Sequence, residues 1–213
     1  MVNLIILLII ILALPALVKA FMPQIKGWIG ETRVNMHLRE SLDPTVYHLI
    51  PDLMLPTDDG TTQIDHVVVS RYGVFVVETK NYTGWIFGKE RDAQWTQQLY
   101  KRKERIQNPL RQNYKHTKTL SDLTGIPGNY FKSVVVFAGD STFKTTTPPN
   151  VVYARDCGRH IRDFSVPMIK DDQVAEVITA IREWEATVTA KQQRNHVAHL
   201  REKNGSMGRS LKK

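Results

Sequence analysis

Cysteine is almost missing from this chain: Cys157 is the single one in 213 residues. No disulfide can close within the chain, and no zinc cluster can be built on cysteine pairs. Cys157 sits in Arg155-Asp156-Cys157-Gly158-Arg159. The local arginines would lower a thiol pKa, but the plainer reading is a small filler beside a strand end. A glycine-rich phosphate loop, Cys/His zinc spacing and internal repeats are also missing. Acid is scarce too: 21 Asp and Glu face 29 Lys and Arg, for a net charge of +8 and a pI near 9.6. Such a balance favours anionic partners, nucleic acid or anionic lipid.

Charge is absent altogether from residues 2–18, an almost unbroken Leu/Ile run interrupted only by Asn3 and Pro15. At ~1.5 Å per residue the run approaches the ~30 Å hydrocarbon thickness, and Ala20, Phe21 and Met22 extend it to a span. Lys19, Lys26 and Arg33 come after it, and no charged side chain precedes it. The positive-inside rule then places the C-terminal part of the chain in the cytoplasm, as a single-pass inner-membrane protein. The alternative is a secretory signal cleaved at Val18-Lys19-Ala20, giving a secreted domain, although a basic n-region is lacking. We read residues 1–22 as a membrane anchor in contact with lipid, 24–190 as one domain, and 191–213 as a basic, disordered tail.

The richest stretch is Gln63-Ile64-Asp65-His66-Val67-Val68-Val69, a turn, and then Val74-Phe75-Val76-Val77-Glu78-Thr79-Lys80. Both arms are apolar on both faces, which marks a central strand pair rather than an edge. A two-residue loop in Ser70-Arg71-Tyr72-Gly73 pairs Ser70 with Gly73, and counting back sets Asp65 opposite Glu78. Directly opposed Cβ atoms lie roughly 4.5–5.5 Å apart, too close for two unneutralised carboxylates. A divalent cation removes the repulsion, and Mg²⁺ prefers hard oxygen ligands. Lys80 lies one step along the Glu78 face, placed to orient a water or stabilise a phosphoryl transition state. The bland alternative is a Glu-x-Lys on a solvated strand face.

These residues resemble the Asp…(Asp/Glu)-x-Lys signature of the restriction-endonuclease-like superfamily. Gly30-Glu31, Gln63-Ile64-Asp65-His66, the Gly73 to Asn81 segment and Asn108-Pro109 together are similar to its nuclease-related domain (NERD) family, over residues 27–123. The resemblance implies an α/β fold with a mixed central sheet flanked by helices, and Mg²⁺- or Mn²⁺-dependent hydrolysis of phosphodiester bonds in DNA or RNA. It implies Asp65 and Glu78 as metal ligands, Lys80 as the catalytic lysine and Glu31 as the assisting acid. Asp65 is preceded by Ile64 where the superfamily commonly has proline. An inactive nucleic-acid-binding or scaffold module of the same fold is the alternative function.

The remaining pattern fills in around that hairpin. A helix from Gln24 to Leu42 puts Glu31 on the stripe of Val34, Leu38 and Leu42. Glu31 is there either a further ligand or an acid near the helix start favoured by the dipole. A strand over residues 47–55 carries Pro51, an edge or bulge signal, and Asp58-Asp59-Gly60 is turn chemistry. Tyr82, Trp85, Phe87 and Trp95 fall near the ends of short strands, where packing is the plainer role and base stacking the other. Lys101-Arg102-Lys103-Glu104-Arg105 is the densest basic run; Lys101, Arg102, Lys103 and Arg105 are candidate phosphate contacts, the alternative being a solvated turn. Asn108-Pro109 caps a helix on which Gln112 and His116, four apart, reach one spot as accessory groups or form a surface pair. Residues 131–138 and 151–154 read as strands and 171–191 as a helix. Oligomeric state carries no sequence signal.

Overall fold

Residues 67–69 and 74–77 are apolar on both faces, so the hairpin they build has to be covered from both sides. The computed structural model describes the backbone of residues 2–57 and 60–188, and side chains from residue 21 onward except Pro23. The apolar run's side chains, Asp58 and Asp59, and the basic tail lie outside the described residues. In chain order the elements are α1 (Val2–Ser41), β1 (His48–Thr57), β2 (Gly60–Ser70), β3 (Gly73–Lys80), β4 (Gly84–Phe87), β5 (Gln94–Leu99) and β6 (Arg102–Gln107). After these come α2 (Pro109–Thr124), β7 (Phe131–Phe137), β8 (Ser141–Phe143), β9 (Val151–Tyr153), α3 (Cys157–Arg162) and α4 (171–188).

The main sheet has the order β1-β2-β3-β7-β9, which leaves β2 and β3 interior. β1, β2 and β3 run antiparallel, and β3, β7 and β9 parallel. Ser70 pairs with Gly73, as the turn residues require; Gly73 takes φ +138, and a Cβ there would come 2.8 Å from the Tyr130 carbonyl oxygen. One face packs Val68, Phe75 and Val77 against Val34 and Leu38 of α1 and Cys157 and Ile161 of α3. The other packs Val67, Val69, Val74 and Val76 against Leu120 of α2 and Val174, Val177 and Ile181 of α4. Cys157 is fully buried and its thiol is pushed up to about 11 by burial, consistent with a filler.

Two features depart from the sequence reading. The helix expected from Gln24 has no break at Pro23, since a single helix runs from Val2 to Ser41. Proline removes one backbone donor, and the apolar helix formers on either side outweigh it. Among the described residues no helix is long and apolar enough to cross a membrane. The second departure is a separate four-stranded sheet, β6-β5-β4-β8, closed onto the main sheet by Trp95, Phe137 and Phe143. The basic run, read as candidate phosphate contacts with a solvated turn as the alternative, forms its β5–β6 corner and the edge strand β6.

α2 is nailed to the sheet by a polar contact. The Asn108 side chain accepts from the Leu110 amide, with Pro109 in the first turn. One turn on, the fully buried Asn113 amide donates to the Val76 and Val134 carbonyls and to Ser133 Oγ at 2.8, 3.2 and 2.9 Å. It thereby bridges β3 and β7. Asn113→Ala is expected to lower the unfolding free energy by about 1–3 kcal/mol, read from urea denaturation. A change under about 0.5 kcal/mol, typical of a surface site, would remove Asn113 from that role.

Candidate active site

β2 stays paired to β1 along its length but leaves β3 after His66↔Val77. The sequence count sets Asp65 opposite Glu78, but the ladder ends one pair before them, and the two are not strand partners. At that point Asp65 Oδ2 accepts the Thr79 amide at 2.6 Å, in place of a strand carbonyl. The pleat also breaks there. Ile64, Val67 and Val69 pack in one cluster, whereas residues three apart lie on opposite faces of an unbroken strand. The β1 counterpart, Asp52, drops out of the ladder between Pro51↔His66 and Leu53↔Ile64 and takes φ 53. Aspartate tolerates that left-handed conformation better than most residues.

The fork opened by this break faces α2. Glu78, only 3 % exposed, places Oε1 2.7 Å from Lys80 Nζ and Oε2 3.2 Å from His116 Nε2. Lys80 Nζ also donates to Gln112 Oε1 at 3.0 Å. His116 Nδ1 lies 3.2 Å from Thr62 Oγ1 on the diverging end of β2. The helical spacing of Gln112 and His116 therefore does bring both to one spot. The surface-pair reading of His116 is corrected: the ring is 7 % exposed, because the displaced end of β2 folds over it. Beside it is a hollow of about 350 Å³ lined by Thr57, Thr61, Thr62, Gln112, Lys115, His116 and Thr119.

Electrostatics single out Asp65. Burial, the Glu78 charge and the Glu31 charge raise its carboxyl to about 7, against the Thr79 amide and Lys80, which lower it. Glu31 is half-buried on α1, beside the exposed end of the fork. Its carboxyl is raised by burial and by the charges of Asp52 and Glu78. Thus the charges of Glu31, Glu78 and Lys80 act on Asp65, and those of Glu78 and Lys80 on Glu31. His66, on the α1 side, is pushed down to about 4 by burial and stays neutral. Among the described residues no three carboxylate, imidazole or thiol groups stand in metal-binding geometry. Asp65 and Glu78, with Glu31 nearby, are the oxygen donors here that could hold a hard divalent cation.

The four basic candidates are not at the carboxylates. Lys101 lies in the β5–β6 turn; Arg102, Lys103 and Arg105 lie on β6, and all four are exposed. The strand is roughly 17 Å long at ~3.3 Å per residue, and it leads into α2 only at its other end. Asp52 and Thr62 were missed by sequence reasoning. For Asp52 a signal existed, an acid set between Pro51 and Leu53 in an apolar strand. For Thr62 there was none.

A carboxyl raised from 3.8 to about 7 binds its proton more tightly folded than unfolded. The metal-free fold is therefore most stable below about pH 4 with respect to this group, and loses stability as pH rises through 7. Asp65→Asn keeps an acceptor for the Thr79 amide and removes that loss. It is expected to raise the melting temperature in EDTA above pH 7. The gain should shrink as the buffer is taken toward pH 5; a gain independent of pH would contradict the raised carboxyl.

The sequence compares with known proteins in the same sense as the geometry. A family model described as a nuclease-related domain matches residues 26–138, more than half of the chain. An uncharacterized protein of Bacillus anthracis is 35% identical over 206 residues, covering 93% of this chain and 94% of its own length. No solved structure matches. The matched segment begins just before Glu31 and ends just past β7, enclosing the fork and the helix that closes it, and the chain belongs to the nuclease-related domain family.

Proposed function

We propose that this chain is a membrane-tethered, divalent-metal-dependent nuclease whose reaction centre is the β2–β3 fork. The observation that carries this reading is the buried Glu78–Lys80 pair facing Asp65 across the break in the sheet. Asp65 and Glu78 would hold Mg²⁺ or Mn²⁺, with Glu31 assisting from α1. The cation would supply positive charge against the phosphoryl oxygens. Lys80 has three N–H donors, two of them engaged by Glu78 and Gln112. The third is left to hold a water or a phosphate oxygen, and Gln112 fixes the ammonium in direction. His116 holds Glu78 from the other side and excludes bulk water from that carboxylate.

The tether is supported by the apolar run and by the stretch of α1 just beyond it. Phe21, Met22, Ile25, Trp28 and Ile29 of α1 are all 40 % exposed or more, a concentration of apolar surface that a bilayer or its interface would cover. The run's orientation by positive charge puts the domain in the cytoplasm.

A second reading, a binding or scaffold module without turnover, is favoured by one observation: both Glu78 oxygens already face cations or an imidazole. Metal and cleavage separate the two. With Mn²⁺ or Mg²⁺ the wild-type chain is expected to melt higher than in EDTA, and to cut labelled DNA or RNA. Glu78→Gln and Lys80→Ala should each slow cutting by about 100-fold or more, and Glu78→Gln should also lose the metal-induced shift. A folded protein with neither shift nor cutting on any substrate would establish the scaffold reading instead.

A further inference from the structure

The second sheet has a bare face, and its chemistry is of one kind. Side chains alternate along a strand, and β5 buries Trp95 and Gln97 toward the main sheet. Glu104 pairs with Gln97 and so shares that inner face. On the outer face one ladder row runs from Lys103 across Gln98 to Trp85. The next runs from Arg105 across Thr96 to the half-buried Phe87 and on toward Lys144, whose amide bonds the Ile86 carbonyl. Trp85 is 49 % exposed, with Lys144 Nζ 4.6 Å from its ring centroid. Arg105 Nη1 donates to Thr96 Oγ1 at 3.2 Å, which holds the guanidinium over the sheet. Among the described residues no carboxylate stands in these rows.

We propose that this face binds single-stranded nucleic acid, one base stacked on Trp85 and the flanking phosphates on Lys103, Arg105 and Lys144. The inference rests on the nuclease reading for its link to the fork, and names the substrate class that reading leaves open. The half-exposed indole offers a stacking surface to an unpaired base once Lys144 swings from over the ring to a phosphate, whereas in a duplex the bases are already stacked on one another. Gln98 and Thr96, between the ring and the cations, offer hydrogen bonds to base edges. The face is also within reach of the reaction centre: Trp85 lies five residues after Lys80, at most about 17 Å of chain.

The test is equilibrium binding rather than cleavage. The full chain, in detergent and EDTA, is titrated with fluorescein-labelled oligothymidine, oligouridine and a DNA duplex, monitored by anisotropy. Single strands are expected to bind more tightly than the duplex. Trp85→Ala should weaken single-strand binding about tenfold, with Trp85→Phe retaining most of it and reporting that the sheet is folded. Lys103→Ala and Lys144→Ala should each reduce the slope of log K against log salt by about 0.7. Unchanged affinity in Trp85→Ala, or a preference for duplex, would overturn the proposal. So would loss of binding to phosphatidylserine vesicles in Trp85→Ala with oligonucleotide binding intact, which would make the face a lipid surface. Stacking without any metal-dependent cutting would sink the nuclease reading alone, and cutting indifferent to Trp85 would sink this one alone.

Discussion

The arrangement of this molecule hangs on where the Thr79 amide finds its acceptor. In an uninterrupted sheet it would be given to a strand carbonyl; here Asp65 Oδ2 takes it at 2.6 Å. With that amide satisfied by a side chain, β2 no longer has to track β3, and a buried donor is not left unmade. The strand diverges after His66 and carries its partner β1 with it, and Asp52, opposite Asp65, leaves the ladder with φ 53. Glu78 and Lys80 then have no strand neighbour on the β2 side. An ionised carboxylate only 3 % exposed requires partners; Lys80 is one, held by Gln112 of α2, and His116 Nε2 of α2 lies 3.2 Å away without a formed hydrogen bond. The same device that opens the fork thus gathers three acids whose charges oppose one another. Burial first and that repulsion second raise Asp65, and in the nuclease reading a divalent cation would relieve the repulsion.

Much of the fork was legible in the sequence because its determinants are local. Strand alternation, a two-residue turn and an apolar character on both faces fix the hairpin register without knowledge of anything else, and counting then sets Asp65 opposite Glu78. Asn108-Pro109 announces α2 for the same reason, through its own backbone donors. What could not be read depends on partners far along the chain. β6 carries Arg102-Lys103-Glu104-Arg105-Ile106-Gln107, with no apolar alternation, since an edge strand with one exposed face needs only β5 to hold it. His116 looks like a surface residue in its helical pattern, and it is buried by Thr62, fifty-four positions away. The pleat break at Asp65 is equally hidden, because alternation predicts a face for every residue and has no means of announcing where it fails.

The helix that carries Glu31 connects the two ends of the proposed function. Its 26–33 segment is tied to the far ends of β3 and β7: Asn81 Nδ2 donates to the Lys26 carbonyl at 2.6 Å, and Arg33 to the Ala138 carbonyl. A Cβ at Gly30 would stand 2.7 Å from Asn81 Cβ, so the approach is close enough to demand glycine there. Gly139 closes the same corner, where a Cβ would meet the Tyr82 carbonyl oxygen at 2.2 Å. Glu31 is therefore placed by contacts on both sides of it and cannot slide along the sheet. The same helix runs on toward residue 2 without interruption, and the part before Phe21 spans roughly 29 Å at ~1.5 Å per residue, close to the ~30 Å of a hydrocarbon core. On the anchored reading a rigid helix, rather than a flexible linker, joins bilayer and fork. The distance and orientation of the fork relative to the membrane would then be set by the contacts of residues 26–33.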